Sequence, residues 1–294
     1  MSVAASMEND HASESTPKYP IHSLVFMPPT PRTSIHVWPT IPYVHDGPDG
    51  KPVRRRVAVS KPLCPPVMSA NQPTLVFCGG NAMSLDSGNA DVADLIQRRT
   101  GIETYAWDYP GYGSSTGPPS PDLCVGGLLT LVQALKDKGH SFIALWGHSL
   151  GTGVAVKAAS LTEDVKALVL TAPFSHTLGV TPWARFGALP AGWSDPFPSK
   201  AILEAISTPV SIIHGDEDAI IPFTEGQILF EAASTDLKSF LRMPHYGHND
   251  LFSSSLPFAK VKDFLAEAQA AEAQAREAAP SSLASGMPKA HTET

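Results

Sequence analysis

Short apolar runs recur along the middle of the chain, separated by segments of helical period. The runs are Leu75 to Cys78, Ile102 to Trp107, Phe142 to Trp146, Val165 to Thr171, Val210 to His214 and Phe240 to Met243. Between them, Asp91 to Arg99 and Leu123 to Lys138 carry apolar residues three and four apart, as one face of a helix requires. Strands that are apolar at nearly every position are buried on both faces. Alternating with helices, they predict an α/β chain with a parallel, doubly wound sheet. Leu256 to Ala279 is rich in Ala, Glu, Gln and Lys and predicts one long packing helix. Residues 20–74 are Pro-rich, with Gly47-Pro48-Asp49-Gly50 as a turn between two strand-like runs, and predict antiparallel strands.

Residues 1–19 and 280–294 are short-chained and polar and read as disordered tails, leaving 20–279 as a single domain. At 43% hydrophobic residues, the 294-residue chain has enough apolar material for a sizeable core. No apolar run reaches the roughly 18 residues of a membrane span. Lys plus Arg number 21 against 28 Asp plus Glu, so the basic surplus that nucleic-acid binding wants is missing. The basic run Arg54-Arg55-Arg56 reads as a solvated hairpin strand. Cys64, Cys78 and Cys124 show no Cys-x-x-Cys spacing, which argues against a disulfide framework or a zinc site and suits a reducing compartment. The start, Met1-Ser2-Val3 followed by Glu8, Asp10 and Glu14, lacks the basic and apolar regions of a signal peptide. Ser2 rules out myristoylation, and there is no C-terminal prenylation box. The expectation is a cytoplasmic protein whose membrane contact, where it occurs, is peripheral.

Gly-x-Ser-x-Gly occurs twice. Gly113-Ser114-Ser115-Thr116-Gly117 runs into Pro118-Pro119-Ser120-Pro121, which cannot open a helix directly, so Ser115 reads as a loop serine. Gly147-His148-Ser149-Leu150-Gly151 follows a strand-like run and leads into Thr152-Gly153-Val154-Ala155, which can continue as a helix. A nucleophile elbow needs that context: a sharp turn exposes the serine, and small neighbours let strand and helix pass closely. Ser149 is the candidate nucleophile. Acid and base should follow in the order Ser, acid, His. Asp218 comes just past the run Val210 to His214, and His248 lies beyond the next run, in Gly247-His248-Asn249-Asp250. Singly, Asp218 also fits a turn and His248 a loop; order and context together favour catalysis. Asp216 and Glu217 read as turn or cap residues. All three candidates fall at the C-terminal edge of the sheet, where α/β folds build their sites. Oxyanion donors are expected from the backbone of Leu150 and of the loop Gly79-Gly80-Asn81-Ala82.

Five segments in order resemble the α/β-hydrolase superfamily. They are Phe77-Cys78-Gly79-Gly80-Asn81-Ala82, Asp108-Tyr109-Pro110-Gly111-Tyr112-Gly113, the elbow Trp146 to Gly153, His214-Gly215-x-x-Asp218-x-x-x-Pro222 and Gly247-His248-Asn249-Asp250. Within it the chain most resembles the α/β-hydrolase domain-containing lipases and protein depalmitoylases. Leu24 to Pro31 is similar to the first strand of the depalmitoylase branch, and the elbow to that of the lysophospholipid and monoacylglycerol lipase branch. The resemblance spans about residues 22–268. It implies an α/β-hydrolase fold, a mostly parallel twisted sheet with helices on both faces and a short cap inserted at about 172–207. It gives triad roles to Ser149, Asp218 and His248 and oxyanion roles to Asn81 and Leu150. Two departures stand out. Gly79 replaces the family's usual His, and neither the membrane span of the lipase branch nor the cysteine cluster of the depalmitoylase branch is present.

The chemistry expected is acyl transfer through an acyl-enzyme, with no metal or organic cofactor. The cap interval carries Phe174, Trp183, Trp193 and Phe197 as candidate substrate-binding residues, against only Arg185 and Lys200 as cations. Such a lining suits the acyl chain of an ester or thioester better than a phosphate or polyol, although these residues serve equally to pack the cap onto the body. A small-ester carboxylesterase, a serine peptidase on the same body and a non-catalytic binding protein are the alternatives. The last would predict a lost triad member, and none is lost.

Overall fold

Residues 75–78 alternate between two hydrophobic clusters: Leu75 and Phe77 join one, Val76 and Cys78 the other. Period-two alternation of this kind, apolar on both sides, puts a strand in the middle of a three-layer fold. The computed structural model describes residues 26–29, 37–47, 50–61, 72–177 and 194–278. Eight strands occur among them: β1 (Thr40–Asp46), β2 (Pro52–Ala58), β3 (Thr74–Cys78), β4 (Glu103–Ala106), β5 (Ile143–His148), β6 (Val165–Thr171), β7 (Val210–Gly215) and β8 (Lys238–Met243). Strands β3 to β8 form a parallel sheet in the order β4-β3-β5-β6-β7-β8.

The helices are α1 (Asn89–Thr100), α2 (Pro121–Asp137), α3 (Leu150–Ala159), α4 (Ser199–Ala205), α5 (Phe223–Ala232) and α6 (Leu256–Ala278). One face of the sheet packs on α1 and α6 through Ile96, Phe258, Val261 and Phe264. The other packs on α2, α3, α4 and α5 through Leu128, Leu131, Val154, Leu203 and Leu229. Helix α2 starts where the prolines allow: Pro121 fills the first turn and Ser120 caps it, accepting from Leu123 N–H at 3.2 Å. Helix α4 falls inside the interval expected to form the cap and packs on α3 and α5.

Strands β1 and β2 pair antiparallel, from Thr40 opposite Ala58 to Asp46 opposite Pro52. The hairpin protects the β4 edge: Val59 bridges Trp107, and Ser60 N–H donates to Ala106 O at 2.9 Å. Arg54 and Arg56 are exposed, as expected of a solvated strand, but Arg55 turns inward against Gly117.

Candidate active site

Strand β5 ends at His148 and α3 begins at Leu150, so Ser149 alone turns the chain. Its backbone has φ 52° and ψ −121°, which a non-glycine residue holds only where its surroundings enforce it. Here Ser149 N–H donates to Thr171 O at 3.0 Å, and Thr152 Oγ1 donates to Ser149 O at 2.7 Å. The flanking glycines mark close approach. A Cβ on Gly147 would lie 2.6 Å from Thr152 Cα, and one on Gly151 would strike the carbonyl of Cys78. Ala82, Ala172 and His245 also have positive φ (58°, 49° and 64°). They follow β3, β6 and β8, so with Ser149 after β5 all four ring the C-terminal edge of the sheet.

Asp218 follows β7 and His248 lies beyond β8, and His248 Nδ1 stands 2.7 Å from Asp218 Oδ2. A carboxylate only accepts, so Nδ1 carries the proton and Nε2 is left as the basic nitrogen. Asp218 Oδ1 accepts from the N–H groups of Ile220 and Ile221, each at 2.8 Å. His214 Nε2 donates to Ile221 O at 3.0 Å and lies 3.4 Å from Asp218 Oδ2. Burial alone would raise the Asp218 carboxyl. The hydrogen bonds from His214, His248 and Ile221 N–H outweigh it and hold the group well below the usual carboxylate range. The ring of His148, next to Ser149 in the chain, lies 5.2 Å from the ring of His248, which puts His248 beside the residue that leads into the elbow. Burial, then the neighbouring His248, push His148 down to about 3, so it stands neutral beside the base. Asp216 does more than cap a turn. It accepts from Arg242 Nη2 and from His245 N–H, each at 2.7 Å, joining the loop of Asp218 to that of His248.

The loop after β3 leans on the elbow: a Cβ on Gly80 would lie 3.5 Å from Ser149 Cβ. Asn81 follows Gly80 directly in this loop, and Leu150 follows Ser149 as the first residue of α3. Gly79 is explained by a neighbour ten residues on. A Cβ there would strike the buried Asn89 amide, reaching Asn89 Cγ at 2.6 Å. Asn89 Nδ2 donates to Trp107 O at 3.4 Å, holding the amide in that place. Asn89 and the clamp at Asp216 carry no spacing signal in the sequence, because each acts through a partner from a different segment, whereas His214 meets Asp218 and Ile221 within its own family segment.

Phe174 and Phe197 are fully buried. A Cβ on Gly153 of α3 would lie 2.7 Å from Phe174 Cζ and 2.9 Å from Phe197 Cβ, so both rings are spent on packing against that helix. Trp183 and Trp193 lie outside the described residues. Ser115 is buried and tied, donating to Asp108 O at 2.7 Å and accepting from Ala58 N–H at 2.8 Å. Among the described residues, no group of three or more His, Cys, Asp or Glu is arranged to hold a metal ion. No described helix is long and apolar enough to cross a membrane.

A model of the alpha/beta hydrolase fold matches residues 73–201, and with this architecture the chain belongs to the α/β-hydrolase superfamily. Within it the chain groups with the α/β-hydrolase domain-containing proteins. It is 30% identical over 216 residues to the Caenorhabditis elegans Alpha/beta hydrolase domain-containing protein aho-3, covering 72% of this chain and 63% of that one. It is also 30% identical over 197 residues to the Xenopus laevis Alpha/beta hydrolase domain-containing protein 17B, covering 66% of each. Both matches span just under two thirds of the relative's own length. The Pyrococcus furiosus esterase Pf2001 shares the fold, with a TM-score of 0.59 at 17% identity over 82% of this chain and 99% of that one.

Proposed function

We propose that the protein is a serine hydrolase that cleaves carboxylic esters or thioesters of medium to long acyl chains. His248 Nε2 takes the proton of Ser149 Oγ, and Oγ adds to the substrate carbonyl. The N–H groups of Asn81 and Leu150 stabilise the oxyanion, and the proton passes from His248 to the leaving group as the acyl-enzyme forms. Water, deprotonated by His248, then releases the acid. Asp218 fixes the imidazole tautomer throughout.

The observation that carries this reading is the 2.7 Å bond between His248 and Asp218, with the His248 ring 5.2 Å from that of His148, the residue before the strained Ser149. The preference for an acyl chain is supported by the resemblance to lipases and depalmitoylases. The test is labelling by a fluorophosphonate probe, with label expected on wild type and absent from Ser149→Ala. A folded wild type that takes no label would refute the serine hydrolase and favour a binding protein. A series of p-nitrophenyl esters tests chain length: a sharp optimum at acetate would refute the longer acyl chain and leave a small-ester carboxylesterase.

A further inference from the structure

Of the five family segments, Asp108-Tyr109-Pro110-Gly111-Tyr112-Gly113 contributes no group to the acyl-transfer steps. It nevertheless reaches the loop after β3 at three successive points. Tyr109 donates its hydroxyl to Gly79 O at 2.6 Å, and Tyr112 donates to Asn81 Oδ1 at 2.7 Å. Asp108 Oδ1 accepts from Leu85 N–H at 2.7 Å. Both tyrosines are buried, their rings edge-on at 5.4 Å, and Trp107 stacks edge-on to Tyr109 at 4.9 Å. Ser114 N–H bonds the second oxygen of Asp108 at 3.1 Å, so the donor loop is itself rigid.

Asn81 Oδ1 is the centre of this arrangement. Besides Tyr112 it accepts from Met27 N–H at 2.8 Å and from Ala82 N–H at 3.1 Å. The Ala82 bond occupies that N–H and holds Ala82 in its left-handed turn at φ 58°. An oxyanion donor must sit within a few tenths of an ångström of its place before the charge develops, and a loop of small residues cannot ensure that by itself.

From this geometry we infer that Tyr112 is a positioning residue for the oxyanion hole: its hydroxyl fixes the Asn81 side chain and thereby the Asn81 backbone donor. The inference rests on the serine hydrolase reading. Tyr112→Phe removes one hydroxyl and keeps the ring packing. On a p-nitrophenyl ester it should lower kcat by about 10- to 100-fold, below the loss typical of deleting a donor outright, and leave KM within about threefold. The affinity of an alkyl trifluoromethyl ketone, whose adduct with Ser149 carries an oxyanion, should fall by the same factor as kcat/KM. The pH midpoint of kcat/KM should not move, because the Asp218–His248 pair is untouched. A merely structural hydroxyl would lower Tm and leave all three constants alone.

Asn81→Ala keeps the backbone N–H but removes the acceptor. Because it also frees the Met27 and Ala82 N–H groups, it should lose at least as much kcat as Tyr112→Phe, and the double variant should be no worse than Asn81→Ala alone. A folded Tyr112→Phe with kcat within about twofold of wild type, or losses that multiply in the double variant, would overturn the inference. Wild type that fails to label with fluorophosphonate would overturn the hydrolase reading, and this one with it. Labelled wild type beside an unaffected Tyr112→Phe overturns this one alone.

Discussion

Adding a side chain at Gly79 should damage this protein, although the family pattern that the sequence resembles would put a His there. Gly79 has no left-handed φ, so the backbone accepts any residue and the cost is steric alone. The added Cβ of Gly79→Ala would meet Asn89 Cγ at 2.6 Å and Nδ2 at 2.7 Å. Asn89 is 1% exposed and cannot swing into solvent; it must rotate within a packed site and give up its bond to Trp107 O. Overpacking a core by one methyl costs about 1–3 kcal/mol, and a lost buried hydrogen bond adds about 1. The expected loss is about 2–4 kcal/mol, or about 4–16 °C in Tm for a domain of this size. Gly79→His should cost more.

The companion variant isolates the cause. Asn89 Oδ1 meets no hydrogen-bond partner among the described residues, and its Nδ2 bond is long, so Asn89→Ala should cost only about 1–2 kcal/mol. In Gly79→Ala/Asn89→Ala the new methyl enters the space the amide has left, and a coupling of about 1–3 kcal/mol should appear in a double-mutant cycle by urea unfolding. The rate of fluorophosphonate labelling should follow the same pattern. Gly79→Ala as stable as wild type, or a strictly additive double variant, would refute the argument.

Asp108 should make the protein less stable as pH rises. Burial pushes its carboxyl up to about 7, so between about pH 4 and 7 the folded state binds a proton that the unfolded state has lost. The drop is at most about 4 kcal/mol, and Asp108→Asn should flatten it in unfolding curves taken across that range. Asp218 works in the opposite sense: its depressed carboxyl stabilises the fold above the unfolded value and loses that contribution as pH falls through the acid range. Asp218→Asn should remove that acid-side loss and lower kcat about 10³- to 10⁴-fold by freeing the wrong imidazole tautomer, measured on the ester of best turnover. Arg242→Ala breaks an exposed pair with Asp216 and should cost less than about 1 kcal/mol by urea unfolding, a larger loss contradicting the view that its role is confined to joining two loops.

The strands were legible in the sequence because burial on both faces writes a continuous apolar run. Leu75 to Cys78 is found as Thr74–Cys78, and Val165 to Thr171 without change. Helix α5 was not legible. Gly226 interrupts it, and that glycine is required by a distant group, since a Cβ there would lie 2.6 Å from His214 Nδ1. Helix α4 falls inside the aromatic cap interval, whose composition masks a seven-residue helix.

The site divides along the same line. Ser149, Asp218 and His248 stand out as candidates by their order, because each follows a strand of a fold whose edge collects its loops. What holds them depends on partners brought together only by that fold: Asn89 behind Gly79, Tyr109 and Tyr112 on the loop after β3, and Arg242 on Asp216. These residues bond backbone or side-chain atoms of another segment, and no local pattern announces such a bond. Among the described residues, the four non-glycine ones of positive φ sit on the same edge, and a left-handed turn persists only where its neighbours over-determine it. The strain at Ser149, Ala82 and His245 and the hydrogen bonds that fix their loops are therefore one arrangement. A change that relaxes a supporting bond should act first on the geometry of the edge, and so on kcat, before it reaches the stability of the sheet beneath.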